Sequence, residues 1–262
     1  MIYFMRGEIT MKIITLTPEN IGQEHICCAI ANTDDIQAAS KKEWLSARME
    51  DGLVFKKGDV RGKCFIEYIP AERAWAPIAA AGYMYIDCLW VSGQYKGQGW
   101  STLLLDECIS DSRAKGKKGL VVLSSRKKKL PFLSDPSYLK YKGFLEADTA
   151  EPYFTLMYLP FDAAAEKPCF LQQAKNPCIK EKGLVVYYTN QCPFTAKYVP
   201  LLEQAAEKNG THLTAHRFEN TAQAQQSPSP FTTFSLFYDG SFVTHEIQSE
   251  KKFEGIIAGL KR

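Results

Sequence analysis

Residues 91 to 105 read Val91-Ser-Gly-Gln-Tyr-Lys-Gly-Gln-Gly-Trp-Ser-Thr-Leu-Leu-Leu105, and the reading of this stretch decides the fold. The apolar, β-prone run Tyr83–Val91 before it predicts a strand. The triple leucine that follows belongs to an apolar helical pattern running from about Ser101 to Ala114, with Gly116 and Gly119 as stop signals. Between them lies a turn carrying Gly97 and Gly99. Glycine lets backbone approach a ligand closely, and the first N–H groups of a helix have no intrahelical acceptor. A strand, a glycine turn and a helix start therefore form a cradle for a phosphate group.

Working outward, the chain has 262 residues, 45% hydrophobic and 23% charged, an ordinary globular balance with room for one large domain or two modest ones. The net charge of +3 is too small to argue for nucleic acid but suits an anionic ligand. No apolar run has the length of a membrane span, and Met1–Thr10 lacks the apolar core of a secretion signal, so residues 1–10 are expected to be an extension ahead of a strand at Met11–Thr17. Eight cysteines occur without a CxxC pair or a zinc spacing, which points to reduced thiols, a cytoplasmic protein and no metal site.

The first part alternates helical and strand patterns. A helix is expected over 35–50, strands over 54–57, 62–70, 83–91 and 120–125, a short helix over 138–142 closed by Gly143-Phe144, and a last strand over 153–159. From 162 to 182 the pattern fades into an expected linker. A second unit over 183–262 then reads strand, helix from Cys192-Pro193 to about Asn209, strand, hairpin around Asp239-Gly240, and closing helix.

The spacing Val91-x4-Lys96-Gly97-x-Gly99-x-Ser101 resembles the pyrophosphate loop of the GNAT acyltransferases, with Lys96 in place of the usual Arg or Gln and Ser101 in place of Gly or Ala. A second register, Gln94-x-x-Gly97-x-Gly99, fits the shorter form of the motif. The Gly143-Phe144 landmark after the following strand is also GNAT-like. The phrases Leu89-Trp-Val-Ser-Gly-Gln94 and Phe132-Leu-Ser-Asp-Pro136 look like a YoaP-type group that adds a short C-terminal domain.

The resemblance implies an α/β fold over 11–161 with a splayed mixed sheet, acetyl-CoA as acyl donor, and a small-molecule amine or peptide acceptor. Leu89, Trp90, Val91, Gln94, Lys96, Gly97, Gln98, Gly99, Trp100, Ser101, Thr102 and Ser125 would hold the donor. A proton acceptor for the amine is sought at Asp87, with Glu67 a weaker choice, and a proton donor for the thiolate at Tyr138 or Tyr141, because the family's tyrosine position is filled by Leu139.

The second unit resembles a thioredoxin-like domain. Cys192-Pro193-Phe194-Thr195 stands at the active-site turn and Pro230 where that family carries a cis-proline. Thr195 replaces the second cysteine, which excludes a dithiol cycle. Cys192, at a helix start that favours the thiolate, is left either as a reactive thiol, the centre of a thiol-binding or redox protein, or as part of a packing module that shapes the acceptor site.

Overall fold

Alternating side chains on the central strands are buried on both faces because helices cover both sides of the sheet. The computed structural model describes residues 12–26, 28 and 35–260. The expected extension 1–10 and the strand start at Met11 lie outside them. The elements of the first unit are β1 (Ile13–Thr15), α1 (Ile36–Met49), β2 (Val54–Gly58), β3 (Cys64–Pro70), β4 (Ile78–Ala79), β5 (Tyr83–Val91), α2 (Trp100–Ala114), β6 (Gly119–Ser125), α3 (Pro136–Tyr141), β7 (Leu145–Ala150) and β8 (Phe154–Pro160).

Seven of these strands form one sheet in the order β1-β2-β3-β5-β6-β8-β7. Asp35 caps α1 by accepting from the Gln37 N–H. That helix lays Trp44 and Leu45 on a core with Phe55, Phe65, Tyr85 and Phe154. On the opposite face α2 buries Trp100, Leu104, Leu105 and Cys108 against Ile66, Tyr68, Met84 and Ile86.

Two irregularities at the centre of the sheet bear on the site. Strands β5 and β6 run parallel and pair from Tyr83↔Gly119 to Ile86↔Val122, then separate. Beyond that point β5 stays paired with β3 as far as Val91, and β6 stays paired with β8 as far as Ser125, so the gap opens between two supported strands. At the point of separation β5 carries a bulge. Glu67 faces Cys88 while Tyr68 faces Ile86, so Asp87 is the extra residue.

The expected linker is packed. Within it β9 (Cys169–Phe170) pairs with β4, and α4 (Gln172–Lys175) follows. The Phe170 N–H and the Lys175 ammonium both reach Asp148 Oδ2, at 2.9 and 2.8 Å. Phe170 is buried in the first unit's core.

The second unit contains β10 (Leu184–Tyr188), α5 (Pro193–Lys208), β11 (Leu213–Arg217), α6 (Thr221–Gln225), β12 (Phe234–Tyr238), β13 (Ser241–Thr244) and α7 (Glu250–Leu260). Its sheet order is β11-β10-β12-β13, with β10 and β11 parallel and the other pairs antiparallel. Asp239 and Gly240 both have positive φ, 48° and 89°, as the hairpin turn requires.

Two expectations need correction here. The Ser229–Pro230 bond is not cis; among the described residues the cis bond is Glu151–Pro152. The hairpin's first strand, expected over Phe231–Phe237, begins only at Phe234. Residues 231–233 are irregular backbone held by buried hydroxyls, with Ser235 Oγ 2.9 Å from Ser229 Oγ and 2.7 Å from the Phe231 carbonyl.

The units dock through α1 against α5 and through an aromatic cluster of Tyr153, Phe154, Phe231 and Phe242 around His245. His245 Nε2 lies 2.8 Å from the Pro131 carbonyl, so that nitrogen carries the proton and Nδ1 accepts from the Tyr153 hydroxyl at 2.7 Å. Burial pushes the His245 pKa down to about 4. The folded chain therefore resists a proton that the unfolded chain takes up near the ordinary histidine value. Stability from this group is complete at neutral pH and is lost as pH falls towards 4, on the order of 3 kcal/mol in all. Urea midpoints measured from pH 7 down to 4.5 should fall for the unaltered chain, and His245→Gln should remove that part of the slope. Equal slopes would contradict the assignment.

Candidate active site

The turn after β5 is built as its glycines dictate. Gly93, Gly97 and Gly99 take φ values of 62°, 74° and 88°, in the left-handed region that side chains rarely adopt. Gly99 is the N-cap of α2 and offers no side-chain acceptor, so the first-turn N–H groups of Trp100, Ser101 and Thr102 are left without an intrahelical partner. A Cβ added at Gly97 would meet nothing within 4 Å, which leaves space for a ligand against the backbone.

The end of α3 stands beside this helix start. Lys142 Nζ donates to Thr102 Oγ1 at 2.7 Å, and the Tyr138 hydroxyl donates to the Ser101 carbonyl at 2.9 Å. A cation at the positive end of a helix is electrostatically unfavourable unless an anion joins it. Lys142 was not singled out by the sequence, since nothing in its spacing distinguishes it from other surface lysines.

A cavity of about 810 Å³ runs from this turn along the gap between β5 and β6. Leu89, Trp90, Val91, Lys96, Gly97, Gly99, Trp100, Ser101 and Thr102 line it, as do Asp87, Tyr138 and Tyr141. Gln94, Gln98 and Ser125 do not. The Gln98 amide folds back on the Gln94 carbonyl at 2.7 Å on the exposed side of the turn, and the Ser125 hydroxyl donates to the Lys128 carbonyl beside a smaller, separate cavity.

The two tyrosines separate. Tyr141 is 83% exposed, whereas Tyr138 is half-buried and burial raises its pKa. Leu139, between them, belongs to the core.

At the other end the bulge turns Asp87 and Cys88 towards α1. Glu67 is fully buried and held by Lys41 Nζ at 2.6 Å and by Trp44 Nε1 at 3.3 Å. Burial works against the Lys41 ammonium, but the acidic groups around it, Glu67 foremost with Cys28 and Cys88, together outweigh burial and the Lys41 pKa is raised. Asp87 Oδ1 accepts from Gln191 Nε2 of the second unit at 3.2 Å, and Lys41 donates to the Gln191 carbonyl at 2.7 Å. Burial, and then the charge of Glu67, hold the Asp87 carboxyl well above the usual carboxylate range. Among the described residues no group of three or more His, Cys, Asp or Glu is placed to hold a metal ion.

Cys28, Cys88 and Cys192 also line this end. The Cys192 thiol is pushed up to about 11, chiefly by burial, so desolvation outweighs the helix start that favoured a thiolate in the sequence. Thr195, in the place of a second cysteine, is fully buried with Oγ1 2.7 Å from both the Thr189 and Cys192 carbonyls, a structural role. Cys192 should alkylate with iodoacetamide at pH 7 at least about tenfold more slowly than free cysteine, whose pKa is about 8.5. A faster rate, read by mass spectrometry of the labelled peptide, would contradict this.

A family model described as YoaP-like matches residues 213–254. The uncharacterized N-acetyltransferase YoaP of Bacillus subtilis (strain 168) is 46% identical over 251 residues, spanning 95% of this chain and 100% of that protein. Among solved structures, the chain is similar to a GNAT family acetyltransferase from Brucella melitensis in complex with acetyl-CoA. The identity is 17%, over 58% of this chain and 88% of that chain, with a TM-score of 0.37. It is also similar to the PaiA N-acetyltransferase from Thermoplasma acidophilum in complex with coenzyme A, at 17% identity over 58% of this chain and 100% of that one, with a TM-score of 0.40.

Proposed function

The chain belongs to the YoaP-like N-acetyltransferase family, and on that footing we propose that it moves the acetyl group of acetyl-CoA to a primary amine by direct attack. The observation that carries this reading is the gap between β5 and β6, which opens past Ile86 and Val122 and leads to an uncapped helix start. Backbone N–H groups of the Lys96–Thr102 turn would hold the pyrophosphate, with Lys96 and Lys142 adding positive charge. The β5 edge from Asp87 to Val91, unpaired on its β6 side, would bond the amide-bearing arm of the donor and polarise the thioester carbonyl.

The incoming ammonium gives one proton to the Asp87 carboxylate, and the freed lone pair attacks the thioester carbon. A C–N bond forms, the C–S bond breaks, and the leaving thiolate takes a proton from Tyr138, which burial keeps protonated until then. The nitrogen releases its second proton to solvent, from which Tyr138 is restored, and Asp87 returns its own proton there. Tyr141 frames the open end of the cavity.

The first unit is read as an acetyltransferase domain over 11–161, joined by residues 162–182 to a thioredoxin-like module over 183–262. The parallel β10–β11 pair, the helix starting at Cys192-Pro193 and the antiparallel hairpin support that module. With Cys192 held as a neutral thiol, it is read as a wall of the site and not as a redox centre. The free thiols of the described cysteines fit the reducing cytoplasm.

Release of free CoA from acetyl-CoA tests the reading. At least one primary amine in a panel should raise it about tenfold or more over hydrolysis. Binding of acetyl-CoA with no stimulation by any amine would turn the protein into a non-catalytic CoA binder.

A further inference from the structure

We infer that the second unit completes the acceptor site, with Gln191 as the residue that positions Asp87, and that the acceptor is a small primary amine with a flat apolar body, not an amino group on a polypeptide. This rests on the donor site proposed above and names the substrate class for it.

The division of charge comes first. Among the described residues three carboxyl groups line the cavity: Glu67, Asp87 and Asp135. Asp135 is spent on capping α3, accepting from the Ser137 N–H at 2.9 Å. Glu67 has the fully buried Lys41. Asp87 is bonded to a neutral amide, Gln191 Nε2. Arg48, the other buried cation on α1, is committed to Asp51, Thr221 and the Arg73 carbonyl. An ammonium entering the cavity therefore finds one carboxyl whose counter-charge it would supply.

Gln191 is held at both ends. Lys41 grips its backbone carbonyl, its N–H lies 3.3 Å from Thr189 Oγ1, and its side chain crosses to the other unit. The Lys41 ammonium thus joins Glu67 of the sheet to the segment that orients Asp87. Loss of Gln191 would leave Asp87 free to turn away from the reacting nitrogen.

The walls give the body of the acceptor. Tyr85 and Trp90 project from β5, and Phe194 and Phe231 come from the second unit. Trp90 and Phe194 are neighbours, since Lys63 Nζ lies 4.4 Å from one ring centre and 6.0 Å from the other. Flat apolar surfaces flanking a carboxyl suit an aryl or planar apolar amine.

Enclosure decides against a polypeptide. At this end Lys41, Glu67, Thr232 and Thr233 are buried, and Asp87, Gln191, Cys192, Phe194 and Phe231 are at most half-exposed. Among the described residues the exposed lining positions are Lys96, Gly97 and Gly99 of the donor-side turn, Lys129, Pro131 and Phe132 of the β6–α3 connection, and Tyr141 at the end of α3. A polypeptide acceptor would need an open track beside Asp87, and the second unit occupies that place.

The test uses the full-length chain with 2-phenylethylamine and a short blocked peptide carrying one lysine, each titrated with labelled acetyl-CoA. We expect kcat/KM for 2-phenylethylamine to exceed that for the peptide by at least about tenfold. Gln191→Leu should lower kcat/KM for the amine by about 10- to 100-fold while the Kd for acetyl-CoA stays within about twofold. In an Asp87→Asn background the same change should have no further effect, because a residue acting through Asp87 has nothing left to position.

A preference for the peptide, or acetyl-CoA binding with neither probe acetylated, would overturn the substrate class. An equal penalty from Gln191→Leu with Asp87 and with Asn at that position would overturn the positioning role. Absence of acetyl-CoA binding by the unaltered chain would overturn the donor site and this inference with it.

Discussion

Gly97→Asp is expected to weaken acetyl-CoA binding about a thousandfold while the protein stays folded. The position has room, since an added Cβ meets nothing within 4 Å, so no clash unfolds the turn. Its φ of 74° makes any side chain pay the left-handed cost, about 1–2 kcal/mol. The carboxylate adds a charge about 4 Å from the bound phosphates, worth about 4 kcal/mol of repulsion at a surface-like dielectric. At about 1.4 kcal/mol per decade, that repulsion alone is close to three decades of affinity. Gly97→Ala separates the two contributions, since it carries the backbone cost without the charge and should bind within about tenfold of the unaltered chain. Titration calorimetry on both variants reads the difference, and normal binding by Gly97→Asp would move the phosphate site elsewhere.

Asp87→Asn should lower kcat by about 10²- to 10⁴-fold with the acetyl-CoA Kd unchanged, the range for loss of a general base. The pH dependence carries a second signature. Burial and the Glu67 charge raise the Asp87 pKa, while Lys41, Arg48 and the Gln191 amide pull it back; the balance stays well above the ordinary carboxylate range. A base must be ionised to act, so kcat/KM should climb with pH through this raised value. The climb should be absent in Asp87→Asn. A loss of less than about threefold, or an unchanged climb, would take the base role from Asp87. Glu67 is not an alternative, because its two oxygens are committed to Lys41 and Trp44.

The turn proposed to hold the donor was legible in the sequence because its determinants are local. A strand, three positive-φ glycines and a helix start lie within Tyr83–Ala114. The cluster proposed to receive the acceptor was not, because its bonds join residues far apart in the chain. Lys41 meets Glu67 across 26 positions, and Gln191 meets Asp87 across 104. Asp87 itself was picked out by its place on the strand, but the bulge that aims it was invisible without the partner strand's register.

Strand β7 escaped notice because Glu146, Asp148 and Thr149 break any apolar pattern in an edge strand whose Leu145 is exposed. The segment over 162–182 read as a linker because the partners that order it, Ile78 and Asp148, lie in other elements. Cys192 shows the same limit in energetics. Its helix-start position could be read from the sequence, whereas the burial that raises its pKa depends on the other unit packing over it.

Titration calorimetry of the full-length chain with acetyl-CoA bears most directly on the donor site from which the rest follows. One-to-one binding with a Kd between about 1 μM and 1 mM is the expected result. No heat of binding up to about 1 mM acetyl-CoA would contradict it.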